Sequence, residues 1–183
     1  MQERTDATIK MANVTGEAAN DVSSYMTAIW NNFDNGSKSL EYYADVMTAL
    51  GAATASSTDE IATGLEKFAG IAETVGLSYE YATSALATLV AETRQSPETV
   101  GTALKTIFSR LQGLKLGETL DDGTNLNKYS EALKTVGVDI KNSNGSLKNM
   151  DLILEELASK WNLIGKDQQM ALAQTVGGVR QYT

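Results

Sequence analysis

An all-α fold, a compact multi-helix domain of about eight helices, follows from three features of this sequence. Apolar residues recur at alternating steps of three and four, the spacing that lines one face of a helix. A single proline stands among 183 residues, so almost nothing forces a helix to stop through a missing amide and a ring clash. Several segments open on a hydroxyl residue followed by a glutamate, which suits the orphan amides and the positive end of a helix. With 42% hydrophobic residues the chain can bury a real core, as one ordinary domain or two small ones.

The elements follow in order. Val22, Met26, Ile29, Trp30 and Phe33 form one stripe and Leu40, Tyr43, Met47 and Leu50 the next. Asp34-Asn35-Gly36-Ser37 supplies turn chemistry between them, so the pair reads as a helical hairpin. Ile61, Leu65, Phe68, Ala72 and Val75 mark a third helix, Ala82, Leu86, Leu89 and Thr93 a fourth, and Val100, Leu104, Ile107, Leu111 and Leu114 a fifth. Their starts are read at Thr58 with Glu60, Ser78 with Glu80, and Ser96 with Glu98. Pro97 falls at a first helical position, where its missing amide costs nothing. The units differ too much in sequence to be a true repeat.

Gly117 to Gly123 is turn-rich and reads as a surface loop. Helical spacing returns with Leu126, Tyr129, Leu133 and Val136. Val138-Asp139-Ile140 then alternates, Asn142 to Gly145 tolerates positive φ, and Ser146-Leu147-Lys148 can pair back, which predicts a small β-hairpin near residues 138–148. Ile153, Leu154, Leu157, Trp161 and Ile164 mark the next helix, and Leu172, Val176 and Val179 the last, weakened at Gly177-Gly178. The expected organisation is a helical subdomain over 1–116, a loop over 117–125, and a second helical subdomain with the hairpin over 126–183, packed on the first as one unit.

Composition removes much chemistry. Without cysteine or histidine there is no disulfide scaffold, no Cys/His zinc site, no thiol nucleophile and no triad that needs imidazole. A net charge of -8 opposes the phosphate neutralisation on which nucleic-acid binding depends, so no nucleic-acid binding is expected. No apolar run reaches the roughly 18–20 residues of a membrane span and the N-terminus carries no secretory apolar core, so no membrane contact is expected. The Asn-x-Ser/Thr triplets at Asn13, Asn35 and Asn144 carry no weight without a secretion signal. The charged, helix-like opening and the abrupt end at Thr183 predict a piece of a longer protein.

No motif yields a catalytic, cofactor or metal residue. Asn142, Asn144, Gly145 and Asp151 match positions of a calcium loop, but Ile140 stands where the first ligand belongs and the closing Glu is an Asp, so a plain turn is expected. Gly117 to Gly123 lacks the Gly-Lys-Ser/Thr ending of a phosphate loop. Asp121-Asp122 and Glu155-Glu156 are paired acids of the kind glycosidases divide into acid and base, yet adjacent acids suit solvated turns and helix faces better. Trp30 and Trp161 lie on apolar stripes and are expected in the core. Arg94, Lys105 and Arg110 are expected to make helix-surface ion pairs.

The stretch from Ala49 to Arg110 resembles the core region of phage tail tape-measure proteins. The resemblance is carried above all by Ser78-Tyr79-Glu80 and by Thr93-Arg94-Gln95-Ser96-Pro97-Glu98-Thr99-Val100-Gly101-Thr102-Ala103-Leu104-Lys105-Thr106-Ile107-Phe108. Val138-Asp139-Ile140, the Asn144-Gly145 turn, Ile153 to Trp161 and Gln174 to Arg180 are similar to the family's downstream segment, in the same order. These are helix-packing patterns, so the resemblance implies a role and no active-site residue.

What it implies is a structural assembly protein of a phage or prophage, located in the virion tail and assembled in the host bacterial cytoplasm. By this resemblance it would template tail-tube polymerisation and set tail length. Its partners would be tail-tube subunits, tail assembly chaperones and other copies of itself. Drawn into one rod, 183 residues span about 275 Å, whereas a compact domain of this size has a radius of gyration near 16 Å. The isolated chain is expected compact, because separate stripes can bury one another at roughly 25 cal/mol per Å². In an assembling tail the same stripes are expected to re-pair between copies. Two rival readings are a carboxylate-based cell-wall hydrolase module and a helical binding module of a secreted bacterial machine.

Overall fold

The computed structural model describes residues 2–112 and 127–177, and these are all-α. The described residues form nine helices: α1 (Gln2–Thr15), α2 (Ala19–Phe33), α3 (Leu40–Ala53), α4 (Thr58–Thr74), α5 (Tyr79–Thr93), α6 (Pro97–Gln112), α7 (Asn127–Thr135), α8 (Met150–Trp161) and α9 (Lys166–Gly177). The helix beyond the eight expected is α1. Its buried face is only Ala7, Thr8 and Met11, too small and too polar to give a visible stripe. The loop expected over 117–125 lies outside the described residues.

The caps show why the helices begin where they do. Ser39, Ser78 and Ser96 each accept a hydrogen bond through Oγ from the amide three residues on, at 3.3 Å in each case. Pro97 is the first residue of α6, as its chemistry predicts. Helix α4 begins at Thr58 as expected, but the hydroxyl that caps it is that of Ser57, one residue earlier. Its amide donates to Glu60 Oε2 at 2.8 Å and its Oγ accepts from the Glu60 amide at 3.4 Å, a reciprocal capping box.

The hairpin expected near 138–148 shrinks to a single antiparallel bridge between Lys141 and Leu147, and the described residues contain no strand. Asn142 N–H donates to Ser146 O at 2.8 Å and Lys148 N–H to Ile140 O at 2.9 Å. Beyond that pair Val138 turns into the core and Met150 already opens α8, so neither arm has residues left to extend the ladder.

The chain forms two compact units. Unit 1 comprises Met1–Glu73 and Ser78–Leu104, and unit 2 comprises Thr74–Leu77 and Lys105–Thr183. In unit 1, α1, α2 and α3 pack mutually and α5 lies on α3. Its core is built on Met26, Ile29 and Trp30 of α2, Tyr43 and Met47 of α3, Ile61, Leu65 and Phe68 of α4, and Leu86 of α5. An aromatic knot closes one end: Tyr79 meets Phe33 edge-on at 5.4 Å and Tyr43 at 4.9 Å. The Tyr43 hydroxyl donates to Phe33 O at 3.1 Å, and the Tyr79 hydroxyl donates to Tyr43 O. Helices α4 and α6 touch backbone to backbone. A Cβ on Gly101 would stand 2.3 Å from Gly64 O, and one on Gly64 would stand 2.9 Å from Pro97 O. In unit 2, α7 packs on α9, and Tyr129, Leu133, Val136, Val138, Ile140, Met150, Ile153 and Leu172 are buried.

Arg94 ends α5 in the left-handed region, at φ 56° and ψ 21°, while its amide bonds Val90 O. Among the described residues it is the only non-glycine with positive φ. That conformation costs an L-residue about 1–2 kcal/mol, and the extra chain entropy of glycine returns part of any relief. Arg94→Gly is therefore expected to raise stability by about 0.5–1 kcal/mol in urea melts, and an unchanged or lowered midpoint would contradict it.

Candidate functional site

The residues singled out by sequence do not converge. Glu156 on α8 is held by two cations, Lys148 Nζ at 2.9 Å and Lys160 Nζ at 2.8 Å. Hydrogen bonds from Lys160 and then Lys148 hold its carboxyl below the ordinary carboxylate range. A general acid needs the opposite shift. Glu155 is its exposed neighbour, and successive residues on a helix point in different directions, so the pair cannot flank one bond. The arrangement is a brace. Lys160 also donates to Gly137 O behind α7, and Lys148 follows the bridge, so one carboxylate ties α8 to the turn and to the end of α7. Spacing announces half of this brace, since Lys160 stands four residues after Glu156 on α8, but not the other half, because Lys148 lies outside that helix.

Asn142, Asn144 and Asp151 spend their side-chain groups on their own turns. Asn142 Nδ2 donates to Ser146 Oγ at 3.0 Å. Asn144 Oδ1 accepts from the Ser146 amide at 3.0 Å, and Asp151 Oδ1 from the Leu152 amide at 2.9 Å. The turn is self-contained, and Gly145 takes φ 85° within it. Among the described residues no three acidic, histidine or cysteine side chains gather to hold a metal ion. Asp121-Asp122 and Gly117 to Gly123 lie outside the described residues.

Trp30 is buried in unit 1, and its indole donates to Leu40 O at 3.2 Å under the Arg4 guanidinium, which stacks 5.4 Å from the ring. Trp161 is only half-buried. The ion pairs formed between described residues do not include Arg94, Lys105 or Arg110. Arg94 turns the chain after α5, and Arg110 Nη1 donates to Gly177 O at 2.9 Å, neutralising the end of α9.

The described surface includes two hollows of similar size, each within one unit. One, of about 400 Å³, lies in unit 1 between the start of α1 and the α2–α3 turn, with Arg4, Lys38, Glu3, Asp34 and Glu41 around it. Lys10 bonds Glu41 at 2.9 Å and holds that carboxyl low, the opposite of the shift a general acid needs. The other, of about 380 Å³, is a groove of small residues between α7 and α9 in unit 2, lined by Ala132, Thr135, Gln168, Ala171, Leu172 and Thr175. Large apolar side chains lie open on both units: Ile9 and Val14 on α1, and Leu152, Leu163 and Met170 on unit 2, Leu163 at 83% exposure. Leu152 and Met170 sit off the apolar stripes of their helices, which is the sequence signal for them. No described helix is long and apolar enough to cross a membrane.

The family model described as phage-related minor tail protein matches residues 1–178. No curated protein and no solved structure matches the chain. Proteins of the matched family are structural components of the virion tail. The match runs through both units and every described helix, and the chain belongs to the phage-related minor tail protein family.

Proposed function

We propose that this chain is part of a tail tape-measure protein, which templates tail-tube polymerisation and sets tail length. The observation that carries the reading is the tail-family match over residues 1–178, together with the Ser96-Pro97-Glu98 start of α6 inside the stretch that resembles the tape-measure core. The partners in this reading are tail-tube subunits, assembly chaperones and other copies, and assembly takes place in the host bacterial cytoplasm. Work of this kind needs long stretches of helix and surfaces that exchange partners. The nine described helices, with large exposed apolar residues on both units, suit it.

Tail length supplies the test. In-frame removal of the 183 residues from the parent gene is expected to shorten tails by about 275 Å if the region serves as extended helix, at roughly 1.5 Å per residue. If it stays compact, the loss is no more than a few tens of Å, the diameter implied by a radius of gyration near 16 Å. Electron microscopy of tails distinguishes these outcomes. Normal tails of unchanged length would exclude a length-setting role for this segment. Turnover of peptidoglycan lost on changing one carboxylate would instead favour the hydrolase reading.

A further inference from the structure

The tripeptide Asn-Gly-Ser occurs twice, as Asn35-Gly36-Ser37 at the α2–α3 corner and as Asn144-Gly145-Ser146 in the bridged turn before α8. The two copies share most of their local geometry. Both asparagines are exposed. Both glycines take positive φ, 77° and 85°, and a Cβ on either would meet nothing within 4 Å. In each copy the asparagine Oδ1 accepts a hydrogen bond from the serine amide at 3.0 Å. An Asn-Gly pair can close on itself, the glycine amide nitrogen attacking the asparagine Cγ, because glycine has no side chain to obstruct the approach. The tripeptides alone therefore predict two sites of equal standing.

What accepts the hydrogen of each glycine amide is different. Gly36 N–H donates to Asp34 Oδ1 at 2.9 Å, whereas Gly145 N–H donates to Asn142 O at 2.9 Å. An amide nitrogen is a poor nucleophile until its proton leaves. A carboxylate can take that proton as the new bond forms, and a backbone carbonyl cannot. The second copy is also locked from both sides. Asn142 N–H donates to Ser146 O at 2.8 Å, Lys148 N–H donates to Ile140 O at 2.9 Å, and Ser146 Oγ adds a second bond to Asn144 Oδ1 at 2.7 Å. That extra bond polarises Cγ, but it also ties the side chain into the closed turn. Ring closure at Asn144 must first open the bridge between Lys141 and Leu147. At the α2–α3 corner the Gly36 and Ser37 amides are held by the side chains of Asp34 and Asn35, which can move without breaking a ladder.

We infer that Asn35 is a site of self-modification, with Asp34 as its general base, and that it passes through a cyclic imide to aspartate and isoaspartate. The Gly36 nitrogen bonds to Asn35 Cγ while its proton moves to Asp34 Oδ1. The negative charge that collects on Asn35 Oδ1 is met by the Ser37 amide. The Cγ–Nδ2 bond then breaks, and the amide group leaves as ammonia with the proton returned by Asp34. Water opens the imide: addition at Cγ gives aspartate, and addition at the backbone carbonyl gives isoaspartate, with Gly36 carried on the former side chain. No oxidant or reductant is involved. Either product adds a negative charge where Glu3, Asp34 and Glu41 already stand with Arg4 and Lys38, and isoaspartate lengthens the main chain between α2 and α3. This chemistry is separate from the length-setting reading and does not depend on it.

The test compares the two tripeptides within one molecule. The folded chain is incubated near neutral pH, and its proteolytic fragments are followed by tandem mass spectrometry for the mass gain of deamidation. Asn35 is expected to react at least about tenfold faster than Asn144, a comparison that needs no variant. In urea, where both tripeptides lose their partners, the two rates are expected to come within about threefold of each other. Asp34→Asn keeps an acceptor for the Gly36 amide and removes the base. With helix content unchanged by circular dichroism, it is expected to slow Asn35 at least about threefold and to leave Asn144 as it was. A folded chain in which Asn144 reacts as fast as Asn35 would overturn the inference. So would an Asn35 rate indifferent to Asp34→Asn, or a tenfold preference that persists in urea.

Discussion

Gly101→Ala is expected to destabilise unit 1 by about 2–3 kcal/mol, a large effect for the addition of one methyl group. Two terms compete. Replacing glycine by alanine inside a helix gains about 1 kcal/mol. The new Cβ, however, would stand 2.3 Å from Gly64 O and 3.1 Å from Gly64 C, while also crowding Lys67 Cβ at 3.0 Å. Two of these atoms are backbone, so no rotamer change relieves the clash and α4 and α6 must separate. Overpacking of this kind costs about 1–3 kcal/mol and more when backbone must move, which exceeds the propensity gain. Gly70→Ala is the control, because its Cβ would meet only Asn32 Oδ1 at 3.3 Å, the end of a side chain. It is expected to be neutral or to stabilise by up to about 1 kcal/mol. Chemical denaturation of both variants checks the pair, and equal midpoints for the two would show that the backbone contact between α4 and α6 does not matter.

That contact also marks the limit of what the sequence disclosed. Helix faces were legible because burial follows the three-and-four spacing: Val22, Met26, Ile29 and Trp30 are all buried, as are Ile61, Leu65, Phe68 and Ala72. Helix starts were legible where a single hydroxyl precedes the run, as at Ser78 and Ser96. At Ser56-Ser57-Thr58 three hydroxyls compete, and only the reciprocal geometry with Glu60 selects Ser57. The left-handed turn at Arg94 carries no local sign, since arginine has no preference for it and the corner is imposed by the packing of α5 and Pro97. Gly64 and Gly101 read as weak spots in helices, because a glycine demanded by a neighbouring helix looks no different in sequence from one that is tolerated. Reading the acids as solvated was right for Glu155. Glu156 found Lys160, which stands four residues on along α8 as helix-surface pairing predicts, and also Lys148, which no helical spacing would have paired with it.

Tyr79→Ala is expected to cost about 3–5 kcal/mol, the range for truncating a buried aromatic ring, because Tyr79 joins the end of α2 to the start of α3 through Phe33 and Tyr43. Tyr79→Phe keeps both ring contacts and loses only the hydroxyl bond to Tyr43 O, so it is expected to cost about 1–2 kcal/mol. The difference between the two variants measures the ring packing separately from the hydrogen bond. Alkaline pH adds a second readout. Burial pushes the Tyr79 hydroxyl above its ordinary range, since the phenolate would lose hydration. The folded state therefore holds a proton that the unfolded state releases near pH 10. The stability linked to this group is complete below pH 10 and falls as pH rises above it, by up to about 1.4 kcal/mol per pH unit. Tyr25, raised by burial and by its bond to Glu17 at 2.8 Å, acts in the same direction. Tyr79→Phe should thus lower the midpoint at pH 8 yet flatten its decline between pH 10 and 11.5, with the slope that remains owed to Tyr25 and to the other groups raised in the fold, Tyr43, Tyr42 and Lys10. A parental slope retained in full by Tyr79→Phe would mean that the hydroxyl ionises without unfolding the knot around it.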